Sequence, residues 1–507
     1  MPEVRPFSAE GRRANLADLA EVDLDLLVVG GGITGAGVAL QAVQQGYRVG
    51  LVDARDFASG TSSRSSKLVH GGIRYLAQGD VGLVHEALQE RRRLISLFPD
   101  LVSPLPFLMP IPRGLGRAAT LAAGFWTYDA LSIGSGFPRH QRIGLDEARR
   151  MAPALQRSDI RGAWKYWDAQ TDDAALTVEV LRRAAAAGAL VANYAAVTAA
   201  VRRDDGWRVS VQDSISDAGL SVRCRWLVNA GGVWAEQVET LAGREPKTHV
   251  RPSKGVHVSL AAETLPIEAA LIFPVGDGRV LFAVPWHDHV IVGTTDNDYD
   301  GDIVAPGCTP AEEADVLAAI NRFFNLELGP QAVLSRWAGV RPLVSTGLPG
   351  DKKVATKDIS RKPQIQLDGE GLLTVTGGKL TTFWRMAEEA LKLLPPPLSS
   401  SGAAAAPTRM AGEEWDHDPL PGAAGYTVGD VRRACDEGMA MQLEDALSRR
   451  LRLSFLDVGA ALSAAPEAAR MMASRLGWPD TTPHLERYRA HLAREFAGPL
   501  AEAVAEA

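Results

Sequence analysis

The chain has 507 residues, enough for two or three domains around a large core. Its 54 basic and 61 acidic side chains leave a net charge of −7, which argues against a general nucleic-acid binder and restricts any anion site to a local cluster of cations. Cys224, Cys308 and Cys435 lie far apart without CxxC spacing, so neither a disulfide framework nor a zinc site is expected, and the one close histidine pair, His287-x-His289, reads as strand or turn rather than metal ligand.

Residues 1–24 carry acids and bases throughout, lack the apolar centre of a signal peptide, and read as an N-terminal extension. No run of 18 apolar residues occurs, so no transmembrane helix is expected, and the sequence reads as cytosolic or bound to the cytosolic face of a membrane.

Asp25 to Val29 reads as a buried strand entering Gly30-x-Gly32-x-x-Gly35. Glycines at this spacing form a tight turn, admit a pyrophosphate to the backbone and let the following helix pack on the sheet. That helix is predicted from about Thr34 to Gln45, with Gly46 as its C-cap. Its amino end would face the pyrophosphate. A second strand, Tyr47 to Val52, ends at Asp53, about 20 residues past the glycines, where an acid suits a ribose 2′-OH. The fingerprint alone does not separate NAD from FAD. The hydroxyl-rich loop from Ser59 to Lys67, continuing into Leu68 to Leu76, suits an extended dinucleotide and favours FAD.

Residues 80–98 are predicted helical, with Arg91, Arg92 and Arg93 on a solvent face. Residues 99–142 are rich in proline, glycine and aromatics, and Ala118 to Tyr128 carries no charge between Arg113, Arg117, Arg139 and Arg142. This pattern fits either a bilayer interface or a core helix with solvated arginines. A helix over 172–188 precedes strands at 191–202, 207–211 and 220–228, the last running into Asn229-Ala230-Gly231-Gly232-Val233-Trp234. That run fits a return to the nucleotide-binding sheet, with Gly231 at the cofactor. Residues 250–300 read as an antiparallel substrate-domain sheet.

Four later segments carry cations beside glycine turns: Lys254-Gly255-Val256-His257, Gly339-Val340-Arg341-Pro342, Ser360-Arg361-Lys362 and Gly377-Gly378-Lys379-Leu380-Thr381-Thr382. The last lies between a strand, Leu372 to Thr376, and a helix, Phe383 to Leu393, and its turn could direct N–H groups at the anionic edge of a reduced flavin. A low-complexity linker follows at 396–412. Beyond it, helices fill residues 425–500, opened by Thr427-x-x-Asp430 in capping-box spacing and broken at Gly477 and Pro479.

These motifs, VVGGGITGAG (28–37), DFASGTSSRSSKLVHGGIRYL (56–76), LVNAGGVWA (227–235), SKGVHV (253–258), VGTTDNDYDGD (292–302), AGVRPL (338–343), SRK (360–362) and GGKLTTF (377–383), run in one order. With them the chain resembles the FAD-dependent, quinone-linked glycerol-3-phosphate dehydrogenase family. The resemblance covers roughly 25–395, and RRACDEGMAMQLEDALSRRLRLSFLD (432–457) extends it to the family's helical C-terminal domain. It implies an α/β fold: an FAD-binding Rossmann-like domain over 25–395, an interleaved antiparallel β substrate domain mainly at 75–170 and 245–345, and a helical C-terminal domain at 413–507. It implies oxidation of sn-glycerol 3-phosphate to dihydroxyacetone phosphate, with electrons passing to a membrane quinone. The partners implied are that substrate, the quinone and the membrane surface, with a homodimer left open.

Carried over by motif, the cofactor would be held by Gly30, Gly32, Gly35, Asp53, Thr61, Ser62, Ser65, Lys67, Leu68, Gly231, Gly378, Lys379, Leu380 and Thr381. Arg74 and Tyr75 would line the substrate pocket, and Arg341, Arg361 and Lys379 would hold the phosphate or reacting oxygens. The chain departs from the family in carrying AGGVW (230–234) where ATGPW is common, and 345–359 could shift the Arg361 role to Lys357. His257, with an imidazole pKa near neutrality, is the better proton acceptor, because the Arg341 guanidinium stays protonated. Arg341 and Lys379 would stabilise charge at the reacting centre. The same motifs also suit an oxidase that passes electrons to O2, or a non-catalytic membrane-associated flavoprotein.

Overall fold

The computed structural model describes residues 5–73, 76, 80–112, 116–132, 136–276, 279–344, 362–397 and 416–497. Two sheets organise the chain. The first runs in the order 364–367, 372–376, 219–229, 23–29, 49–52, 190–192, and the strands from 372–376 to 190–192 are mutually parallel. Leu24–Val29 occupies its centre with six successive buried positions, apolar except for Asp25, whose carboxylate accepts the Arg48 N–H at 2.8 Å, as a strand covered on both faces requires. Helices Ile33–Gln44, Asp173–Ala186 and Phe383–Leu391 cover one face through Val38, Leu181 and Phe383. An antiparallel hairpin, Ala195–Arg203 and Gly206–Asp213, extends the sheet from strand Gly219–Asn229.

The described part of the N-terminal extension, from residue 5, is docked on this domain. Helix Ala9–Glu21 buries Arg12, whose Nε donates to the Asn193 carbonyl at 2.9 Å and whose guanidinium pairs with Asp213. The mixed charge that makes 1–24 look solvated includes one half of a buried ion pair whose other half lies about two hundred residues away.

The second sheet has ten strands, built from 68–69, 102–112, 141–144, 160–171 and six strands between 250 and 344. It is antiparallel except where strand Ala270–Gly276 meets Val102–Pro112 in parallel, with Ala270 opposite Phe107. The chain crosses from the first sheet to the second through residues 53–67, so the hydroxyl-rich loop lies at their junction.

One solvent-face expectation fails. Arg91, on helix Val81–Leu97, is fully buried, and its Nη1 donates to Asp168 and to the Trp167 carbonyl. Asp168 also accepts from Tyr128 Oη at 2.8 Å. The triplet of arginines hides the fact that adjacent helical positions face different ways.

The C-terminal helices Val428–Asp436, Val458–Leu476 and Thr482–Leu492 pack around Leu447, Phe455 and Tyr488. Their core also takes in Trp286, Ile291 and Trp337 from the second sheet, so the module is fused to the sheet. The capping box at Thr427 and Asp430 is formed, and Gly477 ends the longest helix in the left-handed region.

Candidate functional site: a dinucleotide cavity bordered by Arg341 and His257

A cavity of about 690 Å³ lies where the sheets meet. Its floor is the glycine turn. Gly30, Gly32, Ile33 and Thr34 line it, and helix Ile33–Gln44 has no side-chain cap and no acid in its first turn. The positive end of that helix is therefore open to an anion. Gly35 lies beneath the turn, where a Cβ would stand 1.9 Å from the Gly30 carbonyl oxygen; its role is to bring helix and turn together. The Asp53 carboxylate lines the cavity and accepts the N–H of Gly31 at 2.6 Å and of Arg55 at 2.8 Å. Burial raises its pKa, against those two backbone bonds.

The hydroxyl-rich loop forms one wall. Thr61, Ser62, Ser65, Ser66 and Leu68 line the cavity. Ser62 Oγ accepts from the Ile33 N–H at 2.9 Å, and Thr61 Oγ1 donates to the Val340 carbonyl at 2.6 Å, tying the loop to both sheets. Gly231, Gly378, Lys379, Leu380 and Thr381 line the opposite side. There a 3-10 turn at Leu380–Thr382 stands between the glycines and the expected helix.

Lys67, expected at the cofactor, does not line the cavity. Its Nζ turns out of the cavity, donating to the Ser63 carbonyl and to Asp173, each at 2.7 Å, and it is fully buried. Burial and the neighbouring Arg452 lower its pKa to about 8, with Asp173 and Asp172 opposing. It braces the loop from behind, because a buried ammonium is tolerated only beside a carboxylate.

On the substrate side, Arg341 projects from strand Val333–Val344. Its Nη2 donates to Thr294 Oγ1 at 3.0 Å and to the Thr295 carbonyl at 3.1 Å, and Asp296 stands 3.6 Å from Nη1. Gly255 makes room for it: a Cβ there would lie 2.4 Å from Arg341 Nη2. His257 lies on the adjacent strand, four positions from the Ser253–Arg341 pair and stacked on Trp337 with centroids 5.2 Å apart, its Nε2 2.9 Å from Ser66 Oγ. The expectation of a near-neutral pKa is corrected. Burial, then Arg341 and Lys67, lower it to about 3, so the imidazole is uncharged at neutral pH.

Arg341, Lys379 and His257 thus border one cavity, whereas Arg74, Tyr75, Lys357 and Arg361 lie outside the described residues. The sequence reading missed His70, Phe282 and Arg55 as lining residues. His70 donates its backbone N–H to Thr381 Oγ1 at 3.3 Å, and its ring meets the Phe282 ring edge-on at 6.2 Å. The Arg55 guanidinium lies 4.1 Å over Trp234. The signal for His70 was its place directly after the hydroxyl-rich loop. Phe282 carried none, since alternate aromatic positions on a strand look like core.

An open helix end, an acid at the second strand and a long polar loop suit an extended dinucleotide, and the whole arrangement is that of a flavin-dependent oxidoreductase. Residues 25–392 match the model of the FAD dependent oxidoreductase family (DAO), and 403–483 match the C-terminal domain of alpha-glycerophosphate oxidase. Glycerol-3-phosphate dehydrogenase 2 of Mycobacterium tuberculosis is 34% identical over 96% of this chain and 90% of its own. Alpha-glycerophosphate oxidase of Streptococcus pyogenes is 34% identical over 76% and 72%. The structure of glycerol-3-phosphate dehydrogenase from Bacillus halodurans complexed with FAD superposes with a TM-score of 0.75 at 26% identity, covering 96% of this chain and 98% of that one. The chain belongs to the FAD-dependent glycerol-3-phosphate dehydrogenase/oxidase family.

Proposed function

We propose that the protein oxidises sn-glycerol 3-phosphate to dihydroxyacetone phosphate and passes the electrons to a membrane quinone. The observation that carries this reading is Arg341, held by Thr294 and Thr295 on the wall of the dinucleotide cavity that His257 and Lys379 also line. FAD, when bound, supplies the hydride acceptor. The residues supply position and charge. A guanidinium suits a phosphate or a developing alkoxide, and Lys379 adds a point charge. His257 accepts the C2 hydroxyl proton. Burial first, and then the charges of Arg341 and Lys67, make it a weak acceptor in the free cavity, and a phosphate dianion beside Arg341 offsets the Arg341 part of that shift.

With a membrane quinone as acceptor, the protein works at a membrane surface, which we infer to be the cytosolic one. Among the described residues no helix is long and apolar enough to cross one. Helix Gly116–Leu131 carries Trp126, 62% exposed, as an indole suited to the interface between lipid and water. A second reading, an oxidase using O2, is favoured by the matches to alpha-glycerophosphate oxidase. The two separate when the substrate-reduced protein is mixed with air or with a soluble quinone. Rapid reoxidation by quinone and slow reoxidation by air supports the dehydrogenase; fast reoxidation by air with peroxide release contradicts it.

A further inference from the structure

No described residue of the C-terminal module, 416–497, lines the cavity. Yet the module grips the cavity wall from behind. The hydroxyl-rich loop has two faces: Thr61, Ser62, Ser65 and Ser66 face the cavity, while Ser63 and Lys67 are buried on the other side. Arg452, 2% exposed, reaches that rear face, where its Nη2 donates to the Ser63 carbonyl at 2.7 Å and to Asp173 Oδ1 at 3.2 Å. Asp173 also accepts from Lys67 Nζ at 2.7 Å, from the Ser65 N–H at 2.9 Å and from Ser65 Oγ at 2.7 Å.

Three further ion pairs join module and cofactor domain. Arg64, on the same loop, pairs with Glu495, and Arg449 and Arg450 both meet the buried Asp56 just before it. A module that only covered the sheet could do so with apolar side chains. Burying guanidinium and carboxylate groups costs desolvation, which is recovered only in well-oriented pairs, so such contacts fix geometry more than they add stability. Phe455 extends the same bracing, packing edge-on against Trp337 at 5.2 Å, and Trp337 stacks on His257.

We propose that Arg452 is a positioning residue for the flavin loop, so that docking of the C-terminal module and binding of FAD are coupled. The inference rests on FAD occupying the cavity. Coupling of this kind is reciprocal: the docked module raises affinity for FAD, and FAD stabilises the docked module.

The test is titration of flavin-free full-length protein with FAD, followed by quenching of flavin fluorescence, alongside thermal unfolding of the flavin-free form. Arg452→Met is expected to weaken FAD binding at least tenfold while the flavin-free melting temperature falls only modestly, because Asp173 keeps Lys67 and Ser65 as partners. Arg452→Lys, which keeps a donor for Ser63 or Asp173, is expected to recover part of the loss. A dissociation constant within twofold of wild type for Arg452→Met overturns the proposal. So does a loss that Arg452→Lys does not relieve and that follows a fallen melting temperature. Should Arg452→Met not fold, Glu495→Gln replaces it under the same criteria, since it loosens Arg64, the neighbour of Ser63, from the module. Failure of the wild-type protein to bind FAD would instead remove the flavin reading itself.

Discussion

The Nε2 of His257 lies 2.9 Å from the hydroxyl of Ser66, joining the substrate-side sheet to the cofactor loop at one hydrogen bond. Ser66 therefore orients the imidazole that the proposed chemistry requires. General-base catalysis contributes about 10²- to 10⁴-fold. His257→Asn is expected to slow anaerobic flavin reduction by glycerol 3-phosphate within that range, and to change the substrate dissociation constant much less. Stopped-flow reduction at several substrate concentrations separates the two; a wild-type limiting rate would remove His257 from the reaction.

The depressed pKa of His257 has a consequence for stability. The folded protein keeps this imidazole neutral down to about pH 3, whereas in the unfolded chain it binds a proton below about 6.5. Between those values the unfolded state holds the extra proton, so this group destabilises the fold progressively as pH falls, by about 1.4 kcal/mol per pH unit. Urea unfolding from pH 6 to pH 4 is expected to lose stability less steeply in His257→Asn than in wild type. Equal slopes would contradict the burial argument.

The same residue predicts a difference between two pH profiles. kcat/KM reports the free protein and kcat the substrate complex. A bound dianion offsets the field of Arg341, so the acidic limb due to His257 is expected at higher pH in kcat than in kcat/KM. Coincident limbs would contradict a phosphate placed near Arg341.

Gly255 and Arg341 supply a steric test. A Cβ at residue 255 would meet Thr294 Oγ1 at 2.3 Å and Arg341 Nη2 at 2.4 Å. Gly255→Ala is expected to displace the guanidinium and to weaken substrate binding about as much as Arg341→Ala does. Loss of charge-assisted bonds of about 1.5–3 kcal/mol corresponds to roughly tenfold to a hundredfold. FAD binding, measured by fluorescence, should be little changed in both.

Arg91 and Asp168 form a buried pair that does not line the cavity, so their effect should fall on folding. Arg91→Met leaves the Asp168 carboxylate buried with only Tyr128 and the Gly71 N–H as partners. Breaking a buried pair from one side costs about 3–5 kcal/mol. Urea unfolding of the variant should show a loss of that order; a loss below about 1 kcal/mol would mean that Asp168 becomes protonated at little cost.

The sequence was most informative where local chemistry dictates structure. The strand, glycine turn and helix at 25–44 follow from apolar runs and glycine spacing, and the capping box at Thr427 follows from side-chain reach. Arg341 and His257 were visible as candidates, but not their proximity, which arises from antiparallel register between strands about eighty residues apart. Arg91 was read on a solvent face, and the buried pairings of Arg12 and Lys67 were not foreseen. A charged residue in sequence looks solvated, and only the fold reveals the carboxylate that lets it be buried. The grip of Arg452 on Ser63 was invisible for the same reason, the partners being nearly four hundred residues apart.

The most direct test of the account is anaerobic addition of glycerol 3-phosphate to the FAD-loaded protein while the visible flavin absorbance is followed. Bleaching at a rate that saturates with substrate, with dihydroxyacetone phosphate formed in equal amount, is the predicted result. An unchanged flavin spectrum at saturating glycerol 3-phosphate would contradict it.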